Sequence, residues 1–121
     1  MRYIVFVLLI MLGTNVFSQD KKEEIRPFTT DGCTMFPDGW GGNDTLWRHC
    51  CVSHDSAYWK GGTKRDRLIA DSLLRECVTR EGYPKISSKM FVGVRIFGGP
   101  SLPTPWRWGY GWEFGKGYDK E

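Results

Sequence analysis

His49-Cys50-Cys51-Val52-Ser53-His54-Asp55-Ser56-Ala57-Tyr58-Trp59 is the stretch on which the reading of this chain turns. On a helix, Cys51, His54, Asp55 and Tyr58 fall at i, i+3, i+4 and i+7, which is one face. A face with a cysteine, an imidazole, a carboxylate and a phenol is a poor apolar seam and suits a reactive site better. Helical signals run from Asp44 or Thr45, either of which can cap an N-terminus, to Lys60, and Gly61-Gly62 breaks them. A second helix starts at once. Thr63-Lys64-Arg65-Asp66 has the form of a capping box, with Asp in the usual place of Glu. Leu68, Ile69, Leu73, Cys77 and Val78 then recur at helical spacing, and Gly82 and Pro84 end the segment. So short a glycine turn packs the two helices as an antiparallel hairpin.

Upstream, residues 31–43 are loop material, with four glycines and a Pro37-Asp38-Gly39 turn signal. Residues 19–30 are polar and are expected to form a loose lead-in. Downstream, a third helical segment is expected from about Ser88 to Phe97. Beyond Gly98 the chain is rich in glycine, proline and aromatics, and no regular structure is expected. Trp106, Trp108, Tyr110, Trp112 and Phe114, beside Arg95 and Arg107, have the character of a lipid–water boundary. The simpler reading, preferred here, is that this tail wraps the helices and completes a small core.

The chain has 121 residues, enough for one domain. Residues 1–18 read as an export signal. Arg2 gives the positive start, Tyr3 to Leu12 form an apolar run too short to span a bilayer, and small residues precede Gln19. The remaining 19–121 make a single domain. Removing Arg2 with the signal lowers the formal charge from +3 to +2. So weak a charge, without an arginine-rich stripe, excludes a nucleic-acid binder. The four cysteines, Cys33, Cys50, Cys51 and Cys77, read as a disulfide framework in an oxidising compartment, secreted or periplasmic.

The run Cys50-Cys51-Val52-Ser53-His54-Asp55-Ser56-Ala57-Tyr58 resembles the Cys-Cys-x-x-His-Asp-x-Cys-Tyr run of secretory phospholipases A2. Ala57 stands where the family has its last cysteine, which implies one disulfide fewer. Asp31-Gly32-Cys33-Thr34-Met35-Phe36-Pro37-Asp38 resembles the loop before this helix in the bacterial and fungal branch. The long glycine-rich calcium loop of the animal enzymes is missing. The resemblance covers roughly residues 31–78. It implies a mainly α fold: a disulfide-clamped antiparallel helix hairpin with a metal-binding loop and an irregular Gly/Pro/aromatic C-terminal tail.

The activity implied is calcium-dependent hydrolysis of the sn-2 acyl ester of glycerophospholipids by a monomer at a membrane or micelle surface. His54 is then the general base, since His is the side chain with a near-neutral pKa. Asp55 would hold Ca2+ together with the Asp31 carboxylate and the Gly32 carbonyl, with the Thr34 and Phe36 carbonyls as weaker candidates. A carboxylate must also orient His54. With Cys50 and Cys77 at one level of the hairpin, Asp71 is misaligned with His54 by roughly 3 Å and Asp66 by roughly 10 Å. In the animal branch, too, the matching Asp stands six positions before its cysteine, as Asp71 does before Cys77. Asp71 is therefore expected to be the partner. The same reasoning proposes the bridges Cys33–Cys51 and Cys50–Cys77. The partner-swapped pairing is the rival, because neighbours on a helix bridge poorly. A rival function is a non-catalytic, toxin-like binding module on the same scaffold. A zinc site from His49, Cys50, Cys51 and His54 is disfavoured, because adjacent helical ligands converge poorly and oxidised cysteines do not ligate.

Overall fold

Among the described residues, three helices carry the regular structure: α1 Arg48–Lys60, α2 Lys64–Arg80 and α3 Pro84–Phe97. The computed structural model describes residues 24–34 and 36–121, and the export signal expected at 1–18 lies outside them. Among the described residues there is no strand, only an isolated bridge between Thr63 and Asp119. None of the helices is long and apolar enough to cross a membrane.

Helix α1 starts later than its sequence suggests. Asn43 takes the Thr45 N–H and hydroxyl at 3.0 and 2.7 Å, closing a local turn instead of a helix. The chain then folds around Trp47, which is fully buried. Its indole donates to the Pro37 carbonyl at 2.7 Å and its N–H to the Asp38 carbonyl at 3.1 Å. Side-chain capture of nearby N–H groups is how Asn competes with helix initiation.

Helix α2 opens on the capping box its sequence announces. The Thr63 hydroxyl accepts from Asp66 N–H and the Asp66 carboxylate accepts from Thr63 N–H, both at 3.0 Å. Such caps contribute about 1 kcal/mol. Pro84 does end α2, but it also occupies the first turn of α3, where its missing N–H costs nothing. Helix α3 therefore begins one turn before the expected Ser88.

The inward face of α2 takes Cys77 and Val78 from the apolar series read in the sequence, but not Leu68, Ile69 or Leu73. Leu68, Ile69 and Leu73 are about half exposed, while Arg67, Ala70, Asp71, Leu74 and Val78 are buried. Two charged residues take core positions because each finds hydrogen-bonding partners there. Along α1 the sites Cys50, His54 and Tyr58 meet Cys77, Asp71 and Arg67 in reverse order on α2.

Two disulfides are formed, Cys33–Cys51 and Cys50–Cys77, and no cysteine is left free. Bridges of this kind belong to an oxidising, extracellular-type environment. They sit in a core of Trp47, Leu74, Val78 and Met90. A smaller cluster joins Tyr58, Ala70 and Trp108.

The tail has no helix or strand, and its work is to finish α1. The last carbonyls of a helix lack partners within it. Here Gly109 N–H donates to the Tyr58 carbonyl at 2.6 Å and Gly111 N–H to Trp59 at 3.0 Å. The Trp112 indole donates to Lys60 at 2.8 Å and the Trp108 indole to Gly62 at 3.0 Å. Of the loose lead-in expected over 19–30, the described residues 24–30 are held too. Arg26 N–H donates to the Gly111 carbonyl at 2.8 Å, and the Trp59 indole donates to the Arg26 carbonyl at 2.7 Å. Nor do Arg95 and Arg107 form a basic boundary for lipid. Arg107 is buried, donating to the Thr104 and Trp112 carbonyls, and Arg95 turns inward to Asp71.

Candidate active site

Asp71, with no exposed surface, is the centre of a polar cluster inside the helices. One carboxylate oxygen accepts from His54 Nε2 and from the Tyr58 hydroxyl, each at 2.7 Å. The other accepts from the Arg95 guanidinium at 2.7 Å. Arg67 lies 3.9 Å away and donates instead to the Tyr58 and Tyr118 hydroxyls at 3.0 and 2.8 Å.

Burial alone would push the Asp71 carboxyl up. The hydrogen bonds from His54, Tyr58 and Arg95 overcome it and leave the group below the usual carboxylate range. An ionised Asp71 only accepts, so His54 Nε2 is the donor of this bond, and the neutral ring that makes it has its acceptor at Nδ1. Tyr58 is the converse case. Burial, and then the adjacent Asp71 charge, push its phenol far above the ordinary tyrosine range, so it stays a neutral donor.

His54 is buried at the wall of a cavity of about 280 Å³. Phe36, Leu74, Met90, Val94 and Phe97 make most of the remaining wall apolar, and Gly32 and Asp55 share it. Asp55, two-sided, also lines a second recess of about 260 Å³ with Asp31, Thr30 and Thr34. The Cys33 loop is ordered by its own polar contacts. Asp38 accepts from Cys33 N–H at 2.7 Å and pairs with Arg48 at 2.6 Å. Thr34 donates to Asp31 at 2.8 Å, and Thr30 donates to Asp55 at 2.6 Å.

Burial, with smaller help from the Asp31 and Asp38 charges, raises the Asp55 carboxyl to about 6 against the Thr30 hydrogen bond and the His54 interaction. Asp55 and Asp31 bring two carboxylates to one recess, and carboxylate oxygen is the ligand a hard cation such as calcium takes. The recess does not suit zinc, which favours nitrogen and sulfur. His49, Cys50 and Cys77 also lie close together, but both sulfurs are in one disulfide and so are not thiolate ligands. His49 instead pairs with Glu81 at 3.0 Å on the surface.

Of the residues singled out in the sequence, His54 and Asp71 are in contact, and Asp55 and Asp31 share a recess. Gly32 lies beside them at φ 77°, its backbone on the larger cavity. Asp66 stays at the start of α2 in its capping box. Sequence spacing does not reveal Arg95 or Thr30, which reach their partners from 24 and 25 residues away. Arg67 had a local signal, since it stands four residues before Asp71 on one helix face. No family model, curated protein or solved structure matches the chain.

Proposed function

We propose that the protein is a calcium-dependent hydrolase of the sn-2 acyl ester of glycerophospholipids, resembling secretory phospholipase A2. The observation that carries this reading is the 2.7 Å bond between His54 Nε2 and the buried Asp71, at the wall of an apolar cavity beside Asp55. Disulfides tie both the helix pair and the Cys33 loop to α1, which supports a disulfide-clamped antiparallel hairpin with a metal loop.

In this mechanism Asp71 holds the Nε2 proton, and the Nδ1 lone pair of His54 takes a proton from the attacking water. Tyr58 stays protonated and fixes the carboxylate from the side. A calcium ion held by Asp55, Asp31 and the Gly32 carbonyl would supply the positive charge that a developing oxyanion needs. The apolar wall of Phe36, Leu74, Met90 and Val94 accepts an acyl chain and excludes water around the ester. The partner is thus a phospholipid at a membrane or micelle surface, met by an exported monomer.

The test is fatty acid release from mixed phospholipid vesicles by the folded, correctly bridged protein, with calcium and then with a chelator. Release that stops on chelation supports the hydrolase. Absence of release in calcium overturns it in favour of a non-catalytic binding module on the same scaffold.

A further inference from the structure

We infer that Arg95 is the positioning residue of the His54–Asp71 pair, its guanidinium locking the rotation of the Asp71 carboxylate. The catalytic consequence rests on the hydrolase reading above; the positioning itself rests on geometry.

The terminal torsion of an Asp side chain is broad, so a carboxylate anchored through one oxygen can still swing. His54 and Tyr58 both bond the same oxygen of Asp71. Among the described residues, Arg95 alone hydrogen-bonds the other one, at 2.7 Å. Arg67 is too distant at 3.9 Å to replace it.

What Arg67 does is place Arg95. It donates from one nitrogen to the Val94 and Arg95 carbonyls at 2.7 and 3.0 Å. The last turn of α3, from which the Arg95 side chain springs, is thereby tied to α2 within one turn of Asp71. The orientation of the His54 partner thus depends on all three helices.

An exposed ion pair in this position would matter little. Arg95 is 28 % exposed, but the carboxylate it meets is wholly buried. Removing the guanidinium leaves a desolvated oxygen without a donor, free to draw the ring N–H of His54 or the Tyr58 hydroxyl out of line.

The variants are Arg95→Met, which keeps the stem, and Arg95→Lys, which keeps the charge. Two readouts are taken on each folded protein: the tautomer of the His54 ring by long-range proton–nitrogen NMR, and kcat and KM for fatty acid release. In the unaltered protein the ring carries its proton on Nε2. Arg95→Met is expected to mix the tautomers and to lower kcat roughly 10- to 100-fold at unchanged KM, and Arg95→Lys to restore most of both. A His54 spectrum in Arg95→Met identical to the unaltered one overturns the inference, whatever happens to the rate. So does a lysine variant no better than the methionine one. If Arg95→Met does not fold, Arg95→Gln decides by the same two readouts. If the unaltered protein releases no fatty acid, the hydrolase reading falls, and the ring spectra still decide the role of Arg95.

Discussion

Trp108 stands edge-on to Tyr58, with ring centroids 5.0 Å apart and planes at 89°. The irregular tail is thereby packed against the residue whose hydroxyl holds Asp71. Replacing Trp108 with alanine removes this contact and the indole bond to the Gly62 carbonyl, and opens a cavity beside the site. A loss of about 3–5 kcal/mol is expected, read by urea denaturation. Trp108→Phe keeps the edge contact and should cost about 1 kcal/mol for the lost hydrogen bond.

The two members of the buried pair are separable by isosteric change. His54→Gln should abolish fatty acid release and leave calcium binding largely intact. Asp71→Asn keeps the shape but offers an amide where the ring N–H needs an acceptor, and should lower kcat by roughly 10²- to 10⁴-fold. Asp55→Asn or Asp55→Lys should remove calcium binding and activity together. Calorimetric titration with calcium, beside the rate assay, checks all of these. Most of the activity surviving in His54→Gln would rule out His54 as the base.

Asp55 carries a definite pH signature. Its folded value of about 6 lies above the unfolded 3.8. Between them the native state holds the extra proton, so in chelator the group's contribution to stability is complete below about 3.8 and disappears as pH rises through about 6. Calcium takes the ionised carboxylate, so its affinity should rise over the same interval and then level off. Thermal midpoints from about pH 4 to about pH 8, with and without calcium, check both slopes. Asp55→Asn should flatten the chelator curve; an unchanged curve would mean that another group titrates.

The Cys33 loop depends on Gly32. At φ 77° a Cβ there would collide with Asp38 Oδ1 and lie 2.6 Å from the Arg48 guanidinium. Gly32→Ala is expected to break the Asp38–Arg48 pairing, to cost about 1–3 kcal/mol in strain, and to weaken calcium binding in the same titration.

Much of the site is legible in the chain because its geometry is local. Cys51, His54, Asp55 and Tyr58 share a face through the helical repeat alone. Thr63 and Asp66 form their box across three residues, which leaves Asp71 as the carboxylate level with His54. Local signals mislead where they count apolarity without knowing the partner. Leu68, Ile69 and Leu73 have the right spacing for a core and lie half exposed, because α2 turns Arg67 and Asp71 inward to a hydrogen-bonded cluster. Asn43 captures Thr45 and delays α1, and Pro84 serves as a start as well as a stop.

The sequence by itself determined that three helices form, though not where α1 and α3 begin, together with the capping of α2 and the shared face of Cys51, His54, Asp55 and Tyr58, all properties of neighbours along the chain. Only the tertiary structure decided which cysteines pair, where Arg95 points, and that the glycine-rich tail supplies donors to the open end of α1. Those contacts join residues far apart in sequence. They form because buried carbonyls, carboxylates and guanidiniums must find partners once water is gone.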